Sequence, residues 1–191
     1  MSSIQRMRRQ EDQTGGAGLA DRSSVVTIEA LAEHHIPAVV AACGDWQELA
    51  QFGPPYWRPR SEAELRRKIA VTAGPEMASD YNFVLVEDGG RLVGECSVHG
   101  IDWRCRVAQI GIAIWRVEDR RSGYGQLALQ AMTDYAFGYL GLLRVEGWII
   151  ADNTPSLGLV RSAGWQHEGT LRRRYLHGGR WCDVEVMALL A

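Results

Sequence analysis

The sequence predicts an α/β fold built on a mixed sheet, with helices crossing over between its later strands. Three observations carry this expectation. Strand-like runs meet at two tight glycine turns, Asp88-Gly89-Gly90 and His177-Gly178-Gly179-Arg180, which join neighbouring strands as hairpins. Two helical segments, 123–137 and 154–163, alternate with strands in the second half, the pattern of crossover connections. Hydrophobic residues make up 46% and charged residues 23% of the 191, the balance of a soluble globule able to bury a core without staples.

Each element follows from local pattern. Residues 24–28 contain Val25, Val26 and Ile28 and read as a first strand, and 36–43 reads as a short helix. The stretch 45–60 is unusual, with Trp46, Phe52, Tyr56 and Trp57 set among the breakers Gly53-Pro54-Pro55 and Pro59. Ser61 with Glu64 has capping-box spacing and opens a helix running to about Ala70. Strands are expected at 81–86, 91–98 and 107–115. In the last, Ile110, Ile112 and Ile114 alternate with Gly111 and Ala113, so one face is bulky and the other nearly bare, a sign that a ligand or another backbone approaches. Ala128, Met132, Tyr135 and Ala136 share one face of the helix at 123–137. The strand at 143–150 is apolar apart from Arg144 and Glu146, as in a strand covered on both faces. Asn153 or Thr154 caps the next helix, with Pro155 in its first turn and Gly164 in the left-handed position that ends it. Strands at 168–176 and 181–189 close the chain.

Composition excludes several functions. A formal net charge of -2 argues against a broad nucleic-acid surface, no apolar run reaches membrane-span length, and the first residues lack a signal-peptide stretch. Cys43, Cys96, Cys105 and Cys182 form no C-x-x-C pair and no zinc spacing, so free thiols in a reducing cytoplasm and no metal are expected. Residues 1–22 are polar and glycine-rich, as in a disordered tail ahead of one domain at 23–191.

The informative segment is Arg120-Arg121-Ser122-Gly123-Tyr124-Gly125, between a strand and a helix. Unpaired N–H groups and the dipole at a helix start favour an anion, and glycines let the loop wrap around a phosphate. A Walker A loop is excluded, since the only lysine, Lys68, follows Arg67. Gly123, Gly125 and Ala128 also satisfy a dinucleotide fingerprint, but its ribose carboxylate should end a strand, whereas Glu146 sits inside one.

At this point the sequence resembles the GNAT acetyltransferase superfamily. Arg120 to Gly125 match the family's Q/R-x-x-G-x-G/A, and Asn153, Ser156, Leu159, Val160, Gly164 and Trp165 follow its second signature, with Trp165 in place of phenylalanine. Glu168, Gly169, Arg172, Gly178 and Asp183 are similar to the closing stretch of the RimJ/RimL-like branch. The resemblance covers about residues 25–190 and implies a mostly antiparallel central sheet flanked by helices, with acetyl-CoA as acyl donor. It places the pyrophosphate on the backbone of Arg120, Arg121, Ser122, Gly123, Tyr124 and Gly125. It places the pantetheine arm along Ile112, Ala113 and Ile114, near Asn153 and Ser156.

The implied reaction is direct attack of an amine on the thioester, which needs a proton acceptor, help for the departing thiolate and a donor for the oxyanion, here near Ile114. Where many family members carry a tyrosine acid, this chain has Val160, and Ser156 is the substitute. Glu146 and Glu95, carboxylates inside apolar strands, are the candidate bases, each with an arginine ion pair as its alternative. His99 and Asp102 lie just beyond a strand end, where a lone histidine is more often a surface residue. Trp46, Phe52, Tyr56 and Trp57 are the expected walls of an acceptor pocket. The acceptor is expected to be a small-molecule amine or a protein N-terminus. The alternatives are another acyl donor or a silent CoA-binding protein, and the final hairpin's edge strands suggest a homodimer.

Overall fold

The computed structural model describes residues 26–50 and 59–191, apart from the side chains of Trp46 and Glu48. The expected tail at 1–22, the first two residues of the expected opening strand, and Phe52, Tyr56 and Trp57 lie outside the described residues.

Seven strands form one sheet in the order β1-β2-β3-β4-β5-β7-β6. They are β1 (Val26–Ala30), β2 (Tyr81–Glu87), β3 (Leu92–Asp102), β4 (Val107–Ile114), β5 (Arg144–Ile150), β6 (Gln166–His177) and β7 (Arg180–Leu190). Every neighbouring pair is antiparallel except β4 and β5. Those two strands are parallel because α4 (Tyr124–Asp134) and the π-turn after it cross over between them.

Helices cover both faces. On one face Ala128, Leu129 and Met132 of α4 join Leu157 and Val160 of α5 (Thr154–Ser162) against Cys96 and Val98 of β3 and Val145 of β5. On the other, Ile36 and Val39 of α1 (Ile36–Ala42) and Leu65 of α3 (Glu62–Ala70) pack on Val84, Leu92 and Trp115. Strand alternation sorts the two faces residue by residue.

Local signals explain most boundaries. Ser61 Oγ accepts from the Glu64 N–H at 3.2 Å, and Asn153 Oδ1 accepts from the Ser156 N–H at 3.2 Å, capping α3 and α5. The Trp165 N–H reaches the Val160 carbonyl and the Gly164 N–H that of Arg161, with Gly164 at φ +85°, so α5 ends in a Schellman motif. Two differences from the sequence expectation bear on the site. A short helix, α2 (Trp46–Ala50), opens the aromatic stretch expected as irregular chain. β3 continues to Asp102 instead of ending at Val98, because a bulge after His99, with Gly100 at φ +60°, lets pairing with β4 resume at Asp102 and Val107.

Gly94 marks where β3 and β4 sit closest. A Cβ there would lie 2.5 Å from the Ala113 carbonyl oxygen and 2.9 Å from Ile114 Cδ1, and the carbonyl cannot move without breaking the ladder. Gly94→Ala is therefore expected to cost about 2–3 kcal/mol and to lower Tm by roughly 5–10 °C. Thermal unfolding checks this, and a Tm within about 2 °C of the parent contradicts it.

Candidate functional site

The site begins where β4 and β5 part. Their pairing holds for Val107 to Gln109 against Arg144 to Glu146 and then stops, although both strands run on. The Trp115 N–H goes to Val93 of β3. By alternation along β4, the N–H groups of Ile112 and Ile114 point the other way, into the gap between the parted strands. The gap therefore has one wall of strand backbone with donors and acceptors turned inward. It can take an extended, amide-bearing chain in the manner of an added strand.

The gap leads toward the start of α4. The chain is left-handed at Arg121 (φ +63°) and Gly123 (φ +84°), and no side chain caps the helix. The first intrahelical acceptor in use is the Gly123 carbonyl, which takes the Leu127 N–H. The first N–H groups of a helix have no acceptor within it, and left-handed residues curl such groups into an anion-binding concavity. The two glycines differ in role. Gly123 supplies the positive φ, while a Cβ at Gly125 would meet Leu159 Cδ2 at 3.4 Å, so Gly125 lets α5 lie against α4.

The side chains of this loop brace it. Arg120 donates from Nε to the Ile114 carbonyl (3.3 Å) and from a terminal nitrogen to that of Trp115 (3.4 Å), tying the loop to the end of β4. The Tyr124 hydroxyl donates to Glu87 Oε1, Glu87 pairs with Arg91, and Arg91 holds both oxygens of the buried Asp119 at 2.8 and 2.9 Å. The loop is thus clamped to the β2–β3 turn at both ends, and the Tyr124 side chain is spent on that clamp. Asn153 caps α5 and Ser156 lies in its first turn, directly after β5. A cleft of about 250 Å³ lies nearby, between the end of β5 and the β6–β7 hairpin.

The two candidate bases lie on the face opposite α4 and α5, and both are in ion pairs. Glu146 accepts from Arg144 Nε at 2.8 Å and from Trp148 Nε1 at 3.0 Å, and Arg144 also binds Glu168. Glu95 pairs with Arg60, which also holds Glu64 at 2.6 Å. The bare face of β4 is not open space. A Cβ on Gly111 would lie 2.9 Å from Ser97 Oγ and 3.1 Å from His99 Cε1, and Ala113 packs in the apolar cluster around Trp115. His99 is thus inside β3 and half-buried, not beyond its end. Sequence reasoning missed this Ser97–His99 contact, although the polar–apolar alternation Glu95-Cys96-Ser97-Val98-His99 was the signal that carried it.

Other reactive groups are accounted for. Burial pushes the Cys43 thiol up to about 11 and raises Cys96 further, so neither offers a ready thiolate. Glu29, His34 and His35 cluster closely enough for a metal ion. Yet His35 Nδ1 accepts from the Ala32 N–H at 3.1 Å, which leaves the proton on Nε2, 3.5 Å from Glu29. That is the pattern of a turn-capping histidine, with its ring lone pair already in use.

Comparison with known proteins fits this geometry. A family described as the acetyltransferase (GNAT) domain matches residues 26–166. The chain is 34% identical over 107 residues to the uncharacterized N-acetyltransferase p20 of Bacillus licheniformis, covering 56% of this chain and 60% of that protein. It is 29% identical over 131 residues to the probable N-acetyltransferase YjcK of Bacillus subtilis, covering 68% and 72%. Among solved structures, spermidine N-acetyltransferase from Vibrio cholerae in complex with CoA and spermine superposes with a TM-score of 0.74 at 22% identity, over 86% of this chain and 95% of that one. The match to p20 spans about three fifths of that relative's length. With a family match over well more than half of its residues, the chain belongs to the acetyltransferase (GNAT) domain family.

Proposed function

We propose that the protein transfers an acetyl group from acetyl-CoA to a primary amine. The observation that carries this reading is the parting of β4 and β5 beside a helix start that no side chain caps. An acyl-CoA has the matching parts, an amide-bearing pantetheine arm and a pyrophosphate. The backbone of Arg120, Arg121, Ser122, Gly123, Tyr124 and Gly125 would take the pyrophosphate, with the Arg121 side chain adding charge. Ile112, Ala113 and Ile114 would line the arm, with Asn153 opposite, and the Ile114 N–H would meet the charge that builds on the thioester oxygen. Ser156 would donate to the departing sulfur, since its amide is held by Asn153 at the helix start. Acetyl-CoA titration by calorimetry tests the cradle. Gly123→Asp strains the left-handed turn and adds a repelling carboxylate, Arg121→Glu reverses a charge, and each is expected to weaken binding about 10- to 100-fold or more. Binding within about twofold of the parent in both variants would remove the reading.

The acceptor follows from charge. The V. cholerae neighbour is described with spermine, but this chain carries Arg172, Arg173 and Arg174 on a two-residue bulge of β6, and none of the three is ion-paired among the described residues. Arg174 lies over the Trp148 ring, 5.3 Å from its centroid, on the face that holds Glu146. Such a border repels a polycation. Glu146 and Glu95, both ion-paired, would then act as charge holders and not as strong bases. With no strong base, a weakly basic amine is favoured: an α-amine of pKa near 8 is neutral about one time in ten at pH 7, a lysine-like amine only about once in a few thousand. A small-molecule α-amine fits best and a protein N-terminus second, with Trp46, Phe52, Tyr56 and Trp57 as its apolar cover. Acetylation at pH 7 is therefore expected to run at least about tenfold faster with α-amines than with spermine. Faster turnover of spermine would overturn this preference. Ser156→Ala is expected to lower kcat about 100-fold while acetyl-CoA affinity holds.

Assignment to the RimJ/RimL-like branch rests on the closing motif, and cytoplasmic action on the four unpaired cysteines. Self-association is proposed from the edge strand β6 and the exposed Leu176 and Trp181 of its hairpin, and a V. cholerae neighbour is described as dodecameric. No described helix is long and apolar enough to cross a membrane.

A further inference from the structure

The face of the sheet under α1 and α3 carries a polar row where apolar residues would be expected. Glu95, Ser97 and His99 follow one another on β3 at every second position, all half-buried, while Cys96 and Val98 between them are fully buried on the other face. Glu95 is committed to Arg60. Ser97 and His99 are committed to each other, with Ser97 Oγ 3.1 Å from His99 Nδ1. The contact is built from three sides. Gly111 stands directly opposite Ser97 and lacks the Cβ that would collide with both side chains. Gln109 stands opposite His99. The bulge at Gly100, whose N–H is held by Asp80 Oδ1 at 3.0 Å, fixes the backbone next to the imidazole.

The location matters as much as the contact. Gln109 is the last β4 residue paired with β5, so the Ser97–His99 pair stands at the root of the gap where the strands part. A hydroxyl hydrogen-bonded to an imidazole is the smallest unit that can receive a proton from one partner and hold it on another.

We propose that Ser97 and His99 form the proton relay for the attacking amine, with Ser97 touching the amine and His99 acting through it. The inference rests on the acetyl-transfer reading above. As the amine nitrogen bonds to the acetyl carbon and the carbon–sulfur bond breaks, a proton of the nitrogen passes to Ser97 Oγ. The hydrogen of Ser97 passes to His99 Nδ1, and the imidazolium later releases it to solvent. The sulfur leaves as thiolate and takes its own proton at the α5 start. The relay needs the neutral imidazole. Burial lowers the His99 pKa below 6.5, with Lys68 of α3 adding to that and Asp80 and the Gln109 side chain opposing it. The base is then ready at neutral pH and is lost only as pH falls below 6.5.

The test is the pH profile of kcat at saturating glycinamide, the α-amine probe, followed by thiol release from acetyl-CoA, because kcat/KM would also carry the probe's own ionisation at about pH 8. His99→Gln and Ser97→Ala should each lower kcat about 100-fold and remove the acidic limb, which in the intact protein lies below pH 6.5. Ser97→Thr keeps the hydroxyl and should keep the limb. Calorimetric acetyl-CoA affinity and the melting temperature, unchanged in these variants, separate lost chemistry from lost fold. For any variant that fails to fold, NMR titration of the His99 ring in the intact protein and in Ser97→Thr takes its place, where a pKa at or above 6.5 in both overturns the relay. Turnover within about threefold of the parent and an unaltered limb in His99→Gln would overturn the relay alone. Absence of both acetyl-CoA binding and turnover in the intact protein would remove the relay together with the acetyl-transfer reading.

Discussion

The structure depends on two parallel strands that stop pairing while they are still strands. Among the described residues β4 and β5 are the only parallel neighbours in the sheet, and they share three residue pairs before they separate. Each is held on its outer side along its length, β4 by β3 and β5 by β7, so the separation does not unravel either one. An unpaired strand edge inside a sheet leaves backbone groups without partners, and such groups are costly to bury. In the proposed function a ligand backbone would satisfy this edge. The helices that begin beyond the two strand ends, α4 and α5, follow from the same separation, since each starts where a parted strand turns back over the sheet.

Around that opening, charge is held by pairing. Arg91 and Asp119, Arg60 and Glu95, and Arg144 with Glu146 and Glu168 each bring opposite charges together at or near the site. Partly buried pairs of this kind add little net stability, but removing one partner strands the other, so they fix geometry more than they add energy. Glu95 and Glu146, the carboxylates that look most like bases, are each held by an arginine, and Ser97 and His99 meet on the same face of the sheet.

Legibility in the sequence divided along a physical line. Features set by residues close in the chain were readable: the Ser61 and Asn153 caps, the Schellman end at Gly164, the Gly178-Gly179 hairpin and the glycine loop at 123–125 depend on contacts no more than a few positions apart. Features set by register were not. The length of β3 depended on a bulge that restores pairing beyond His99, and the bare face of Gly111 depended on which β3 residues lie opposite it. Arg60 meets Glu95 across 35 positions, and Tyr124 meets Glu87 across 37, so no local pattern announces either. The gap itself was legible only through the resemblance to a family, because strand runs show where strands are and not where they part.

Arg121 bears on how this protein could change over time. A non-glycine residue held at φ +63° costs about 1 kcal/mol or more relative to glycine, in a protein whose whole folding margin is about 5–15 kcal/mol. Random drift would readily replace it with glycine, which relaxes the backbone and makes the chain sturdier. That sturdier descendant would lose the side-chain charge beside the proposed phosphate cradle. If the loop holds phosphate as proposed, the strained arginine is a place where durability and ligand capture pull against each other, and a lineage freed from its ligand would be expected to lose it early.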